Sequence, residues 1–171
     1  MSAFVLSQIM IGFAVFFDLI SFQFKDKTKI IKCFVCAVTL IGIHFALLEQ
    51  WTAAGLMALG AIRYTTSLYT SSKKMAGLFS FFTLIITYMT FAGLTSLVSC
   101  AAALFQNVAA FSKQDKQLRQ LMIVGTSLWL THNILIGSPS AVALEALFLT
   151  SNIIGYYRYY IKTTSEAANP M

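Results

Sequence analysis

Charge is what this sequence has least of. Asp, Glu, Lys and Arg make up 11% of its 171 residues, against about a quarter in soluble globular domains. With 58% hydrophobic residues and a mean hydropathy of +0.76, the chain cannot clothe a water-facing surface. Its natural solvent is the lipid bilayer. Proline is almost absent: Pro139 and Pro170 are the only two, which excludes a set of proline hinges in the helices. Cysteine is nearly as rare. Cys33 and Cys36 form a CxxC inside an apolar run and Cys100 stands alone, so they read as small buried hydrophobes rather than redox or zinc groups. Two histidines with no third ligand give no metal site. A Gly-rich phosphate loop, an HExxH and a Ser/His/Asp set are all missing, which points away from an enzyme and from a cofactor. The net charge of +6 falls in short loops, where it sets membrane orientation rather than nucleic-acid binding.

What is present is a succession of apolar stretches about the length needed to cross ~30 Å of hydrocarbon. The first lacks the basic leader and small-residue cleavage site of a signal peptide, so it reads as a helix that stays. The expected helices run from about Ala3 to Phe24, Cys33 to Leu48, Trp51 to Thr70, Ala76 to Phe91, Thr95 to Phe111, Leu121 to Ile136 and Pro139 to Tyr160. Basic turns lie at Lys25-Asp26-Lys27-Thr28-Lys29, at Lys73-Lys74 and between Ser112 and Arg119, and a polar tail begins at Lys162. Eleven of the twelve Lys and Arg residues fall in or beside these places, counting Lys32 and Arg158, and seven helices put all of them on one side. The positive-inside rule makes that side cytoplasmic and the N-terminus external.

The chain also echoes itself. A shift of 88 residues places His132 on His44, Lys113 on Lys25, Leu128 on Leu40 and Leu135 on Leu47, and then Ala141, Leu144, Ala146 and Leu147 on Ala53, Leu56, Ala58 and Leu59. No gap is needed. The expected fold is therefore all-α, with seven transmembrane helices in two parallel three-helix bundles joined by an inverter helix. In residue numbers, 1–72 is the first bundle, 73–94 the linking helix 4, 95–162 the second bundle and 163–171 a cytoplasmic tail.

The ionisable groups expected within the hydrocarbon are Asp18, His44, Arg63, His132 and Glu145. Each costs about 2.5 kcal/mol or more at a helix centre, so each should face the bundle interior or a cavity. Asp18 and Arg63 both lie roughly 10 Å from the cytoplasmic surface, counted at 1.5 Å per residue, and are candidates for a structural ion pair. His44 and His132 occupy matching places in the two halves and should face a common space. Glu145 and Asn152 share a face of helix 7, Asn133 follows His132, and Trp129 offers a ring one turn from it. The expected solute-facing set is His44, Trp129, His132, Asn133, Glu145 and Asn152. Each has a plainer alternative: the histidines as a packing bridge, Arg63 as a clamp, Glu145 near the headgroups and Trp129 as core. Tyr156, Tyr157, Tyr159 and Tyr160, beside Arg158 and Lys162, read as an interfacial belt.

The segments IGIHFALLEQ (41–50), AIRYTTSLY (61–69) and LWLTHNILIGSPSAVALEALFLTSNIIGYYRYY (128–160) resemble the YgjV-type family of bacterial inner-membrane proteins. That resemblance implies a multi-pass protein of the bacterial inner membrane and no particular activity. More distantly, the two units resemble the three-helix bundles of SWEET and PQ-loop proteins. Gln23 before Lys25-Asp26-Lys27 is similar to the PQ-loop pattern, with Phe22 in place of its proline. Trp129 and Asn152 resemble the tryptophan and asparagine lining the SWEET sugar site. The expected function is a cofactor-free carrier or facilitator of a small polar solute, working by alternating access in the lipid bilayer. The alternative is a non-transporting membrane receptor or assembly protein, and a homo-oligomer is compatible with either.

Overall fold

A computed structural model describes residues 2–21 and 27–162. Among the described residues there are seven α-helices and no strand: α1 (Ala3–Ser21), α2 (Lys27–Leu47), α3 (Trp51–Ser67), α4 (Lys73–Met89), α5 (Leu94–Ala110), α6 (Asp115–Leu135) and α7 (Pro139–Tyr156), the last running into a π-helical turn, Tyr157–Lys162. The expected end of helix 1 at Phe24, the Gln23 pattern, the residues Lys25-Asp26 and the tail after Lys162 lie outside the described residues.

Helices α2 and α6 begin six residues before the points where hydropathy rises. Lys, Gln and Arg are good helix formers, so the helix starts in the basic segment and the hydropathy change marks a change of solvent along it. The same polar starts bear on span length. Among the described residues no helix is long and apolar enough to cross a membrane, where seven such spans were expected. Three of the helices have only 17 residues, α3 carries Arg63 and two threonines in its second half, and α6 opens on DKQLRQ.

Packing follows the chain around a ring. Neighbours are α1 with α2, α2 with α3, α3 with α5, α5 with α6, α6 with α7, and α7 with α1, while α4 lies outside against α3 and α5. The ring places α2 opposite α6. Large apolar side chains cover its outside: Phe13 and Phe16 on α1, Ile62 on α3, Phe81 on α4, Ile134 on α6 and Leu147 on α7 are each more than half exposed. Polar groups share the interior with apolar ones: Ser7, His44, Arg63, Thr83, Asn107 and His132 are buried, as are Ile11, Phe45, Leu56 and Trp129.

Two turns matter to the interior because they aim α3 and α7 back into the ring. After α2, Gln50 N–H donates to Phe45 O at 2.9 Å and Glu49 N–H to Ala46 O at 3.1 Å, with Glu49 left-handed at φ 58°. After α6, Ser138 N–H donates to Asn133 O at 3.0 Å and Gly137 N–H to Ile134 O at 3.1 Å, with Gly137 at φ 67°. Both are Schellman closures, which satisfy the last carbonyls of a helix through a left-handed residue. The second has the glycine that conformation favours, and the first does not. Ser138 stands at the N-cap of α7, yet its side chain makes no capping bond and is used elsewhere.

Candidate functional site

The site is built in layers along the ring axis. At the level where α7 begins, His44 Nδ1 lies 2.9 Å from Ser7 O, an acceptor only, so this nitrogen carries the hydrogen. In the neutral ring Nε2 then accepts from Ser138 Oγ, 3.3 Å away. Gln8 completes the layer: its Oε1 accepts from Ser140 Oγ at 2.6 Å and Ser140 N–H at 3.2 Å, and its Nε2 donates to Ser138 Oγ at 3.4 Å. These bonds latch α1 and α2 to the start of α7. On the other side of the ring His132 Nδ1 is 3.5 Å from Asn133 Oδ1.

Phe45 fills the space between the two histidines. Its ring centroid is 5.1 Å from that of His44, 5.3 Å from His132 and 5.6 Å from Trp129, against which it stacks. Trp129 meets His132 edge-on at 5.4 Å. Each of these four side chains is at most 1% exposed. The pair of histidines therefore shares one neighbour and forms part of an aromatic plug across α2 and α6, with no water-accessible space between the rings.

Below the plug the ring encloses a cavity of about 410 Å³, within the usual range for small-molecule sites. Its wall takes in Asp18 of α1, Arg63 of α3, Gln106 of α5, Trp129 of α6, and Glu145 and Asn152 of α7. It reaches Ser67, Ala110 and Arg119, which lie at the helix ends on the lysine-rich side. Of the expected solute-facing residues, Trp129, Glu145 and Asn152 meet in this cavity, whereas His44, His132 and Asn133 belong to the layer above it. Asp18 and Arg63, expected as an ion pair, both line the wall, and the guanidinium's hydrogen bonds go to amides. Arg63 Nη1 donates to Asn107 Oδ1 at 2.9 Å and Nη2 to Gln106 Oε1 at 3.4 Å, with the Tyr64 ring 4.9 Å away. Asn107 in turn donates to Thr83 Oγ1 at 2.9 Å, tying α3, α5 and α4 together.

Sequence reasoning passed over Asn107, Gln106, Phe45 and Gln8. The adjacent Gln106-Asn107 pair inside the apolar run LFQNVAA was a usable signal, since amides in such a run need partners. Phe45 carried none. Two buried donors on the cavity wall meet no hydrogen-bond partner among the described residues: Arg63 Nε and Trp129 Nε1. No group of three His, Cys, Asp or Glu side chains among the described residues is placed to hold a metal ion. Cys33 and Cys100 are buried, but Cys36 is exposed on the apolar exterior.

A ring of helices with large apolar side chains outside and both apolar clusters and buried polar groups inside defines the class: an all-helical bundle around an internal chamber. The sequence profile of the YgjV family, described as bacterial inner membrane protein, matches residues 5–163, and this chain belongs to that family. It is 26% identical over 151 residues to the inner membrane protein YgjV of Escherichia coli strain K12, covering 88% of this chain and 79% of that protein. No solved structure matches it.

Proposed function

We propose that this chain is a seven-pass protein of the bacterial inner membrane that carries a small polar solute by alternating access, without a cofactor. The observation that carries this reading is the chamber: central, mostly apolar in its lining with a few charged and amide side chains set into it, closed by the histidine and tryptophan plug at one end and reaching the helix ends at the other. A purely structural bundle would fill that volume, because packed interiors leave few voids larger than a water molecule. Helices of 17 to 21 residues rise about 26 to 32 Å, close to the ~30 Å hydrocarbon layer, and the exposed apolar side chains suit a lipid surround. With the lysine-rich ends cytoplasmic and the N-terminus periplasmic, the described state is open inward.

The spacing of the helices supports a parallel repeat and, with it, the mechanism. Helices α2 and α6 start and stop 88 residues apart, α3 and α7 start 88 apart, and the two Schellman turns use hydrogen bonds at the same offset. The contact of α3 with α5 is mirrored by that of α7 with α1. Two such units rocking about the plug would expose the chamber to each side in turn, as parallel-repeat carriers do. Trp129, Glu145 and Asn152 are the solute-facing residues in this reading, and His44, His132 and Asn133 form the external gate.

The test is uptake into liposomes reconstituted with the purified protein, over a panel of labelled sugars, amino acids and organic acids. Saturable uptake of one class, lost in Asn152→Ala, is expected. A folded protein that neither binds nor moves any of them rejects the carrier and favours the receptor or assembly role.

A further inference from the structure

The chamber wall is charged in a pattern. Its lining holds two carboxylates, Asp18 and Glu145, and two guanidinium groups, Arg63 and Arg119. Arg119, on α6, lies beside α7, and the other three are spread across the ring. The acids come from α1 and α7, which are neighbours, while Arg63 comes from α3, on the far side of the ring from α7. Arg119 sits at the inner mouth, in the first turns of α6.

Depth adds to the pattern. Gln8 on α1 bonds to Ser140 on α7, so these two helices are in register near those residues. Counting from there at 1.5 Å per residue, Glu145 lies about 7.5 Å nearer the plug than Asp18. On α3 the level of Arg63 is fixed by its bonds to Asn107 and Gln106, which hold the guanidinium across from α5 rather than letting it swing toward the plug. One acid therefore lies deep, under Trp129, and the opposite charge lies nearer the mouth.

Two further features point to an occupant. Arg63 is 4% exposed and its charge is met by two neutral amide oxygens, with Nε left over. Trp129 is 1% exposed and its Nε1 is also left over. A buried donor without a partner is costly, and a buried cation more so, unless something brought into the site accepts the bond. An anionic oxygen suits both.

We propose that the chamber binds a zwitterion, a small compound bearing an ammonium and a carboxylate or phosphate oxygen. This deepens the carrier reading and rests on it. The ammonium goes toward Glu145 and the anionic group toward Arg63. Complementarity favours this over the other classes. A zwitterion offers an ammonium to the Glu145 carboxyl and an anionic oxygen to the Arg63 guanidinium, whereas a simple anion or cation answers only one of them. A neutral polyol makes hydrogen bonds but leaves the opposed fields across the chamber unused.

Binding is measured by thermal shift and calorimetry on the full chain in phosphatidylglycerol nanodiscs, with alanine, 4-aminobutanoate and 6-aminohexanoate as probes. Hexanoate, hexylamine and glucose serve as matched controls. At least one zwitterion should bind tenfold or more tightly than every control. Glu145→Gln, an isosteric change, should remove that preference over hexanoate, and Arg63→Lys, which keeps the charge for folding, should weaken the zwitterion at least fivefold. If glucose or a singly charged probe binds and no zwitterion does, the zwitterion proposal is overturned while the carrier stands. If every probe fails on folded protein, both fall. A phosphoethanolamine lipid headgroup has the same chemistry, so binding is repeated with phosphatidylethanolamine in the disc. Competition there assigns the chamber to the headgroup, and unchanged binding assigns it to a soluble zwitterion.

Discussion

Removing Asn107 tests the packing logic of the interior. Asn107→Ala takes away the acceptor for Arg63 Nη1 and the donor to Thr83 Oγ1, two bonds of 2.9 Å that join three helices. A hydrogen bond to a charged group contributes about 1.5–3 kcal/mol, and an interhelical bond in a membrane averages about 0.6 kcal/mol. Alanine recovers up to about 0.7 kcal/mol in helix propensity. The net loss is about 1.4–2.9 kcal/mol, or a factor of about 10 to 130 in the unfolding equilibrium. Asn107→Asp keeps an acceptor for Arg63 and lets the Thr83 hydroxyl donate instead, so it should stay within about 1 kcal/mol of the wild type. Steric trapping in bicelles measures both, and hydrogen exchange should show α4 loosened in the alanine variant. An alanine variant as stable as wild type, or an aspartate variant as damaged as the alanine one, would refute the clamp.

Three other outcomes follow from local geometry, each read by thermal denaturation in the same bicelles. Glu49→Gly should stabilise the protein by about 1 kcal/mol by relieving a left-handed side chain at φ 58°, and Gly137→Ala, at φ 67°, should destabilise it by a similar amount. A Cβ at Gly55 would stand 2.8 Å from Ile86 Cγ2, so Gly55→Ala should cost about 1–3 kcal/mol and Gly55→Ala with Ile86→Ala much less. Ser138→Ala breaks the donor to His44 Nε2 and the acceptor for Gln8 Nε2, and should cost about 1–2 kcal/mol while increasing hydrogen exchange at the start of α7.

Much of the helical layout was legible because its punctuation is local. Gly137 and Pro139 mark the turn into α7, Glu49-Gln50 sits at the corresponding turn into α3, and each apolar run lies within or close to one helix. Helix starts in basic segments were less legible, since charge reports the solvent boundary while Lys and Arg are comfortable in a helix. For the interior, residue type revealed which groups need partners and left the partners unstated. His44 and His132 stood out as a pair, but their separation from the chamber depends on Phe45, one of 15 phenylalanines, on Ser7, which nothing in the sequence distinguishes, and on Ser138, whose place before Pro139 suggests a helix cap rather than a partner for His44. Arg63 called for a counterpart, and the amides that hold it come from α5, more than 40 residues away and with no twin under the shift of 88, which places Leu19 at Asn107.

The central claim is a chamber open to the lysine-rich face and sealed from the opposite one. It is tested by cysteine labelling in a variant lacking Cys33, Cys36 and Cys100, with Asn152→Cys or His132→Cys as the single thiol and an impermeant maleimide as the reagent. Asn152→Cys should react at least tenfold faster in inverted inner-membrane vesicles than in spheroplasts, while His132→Cys reacts slowly in both. An Asn152→Cys thiol protected from both faces, or faster from the periplasmic face, would contradict the account.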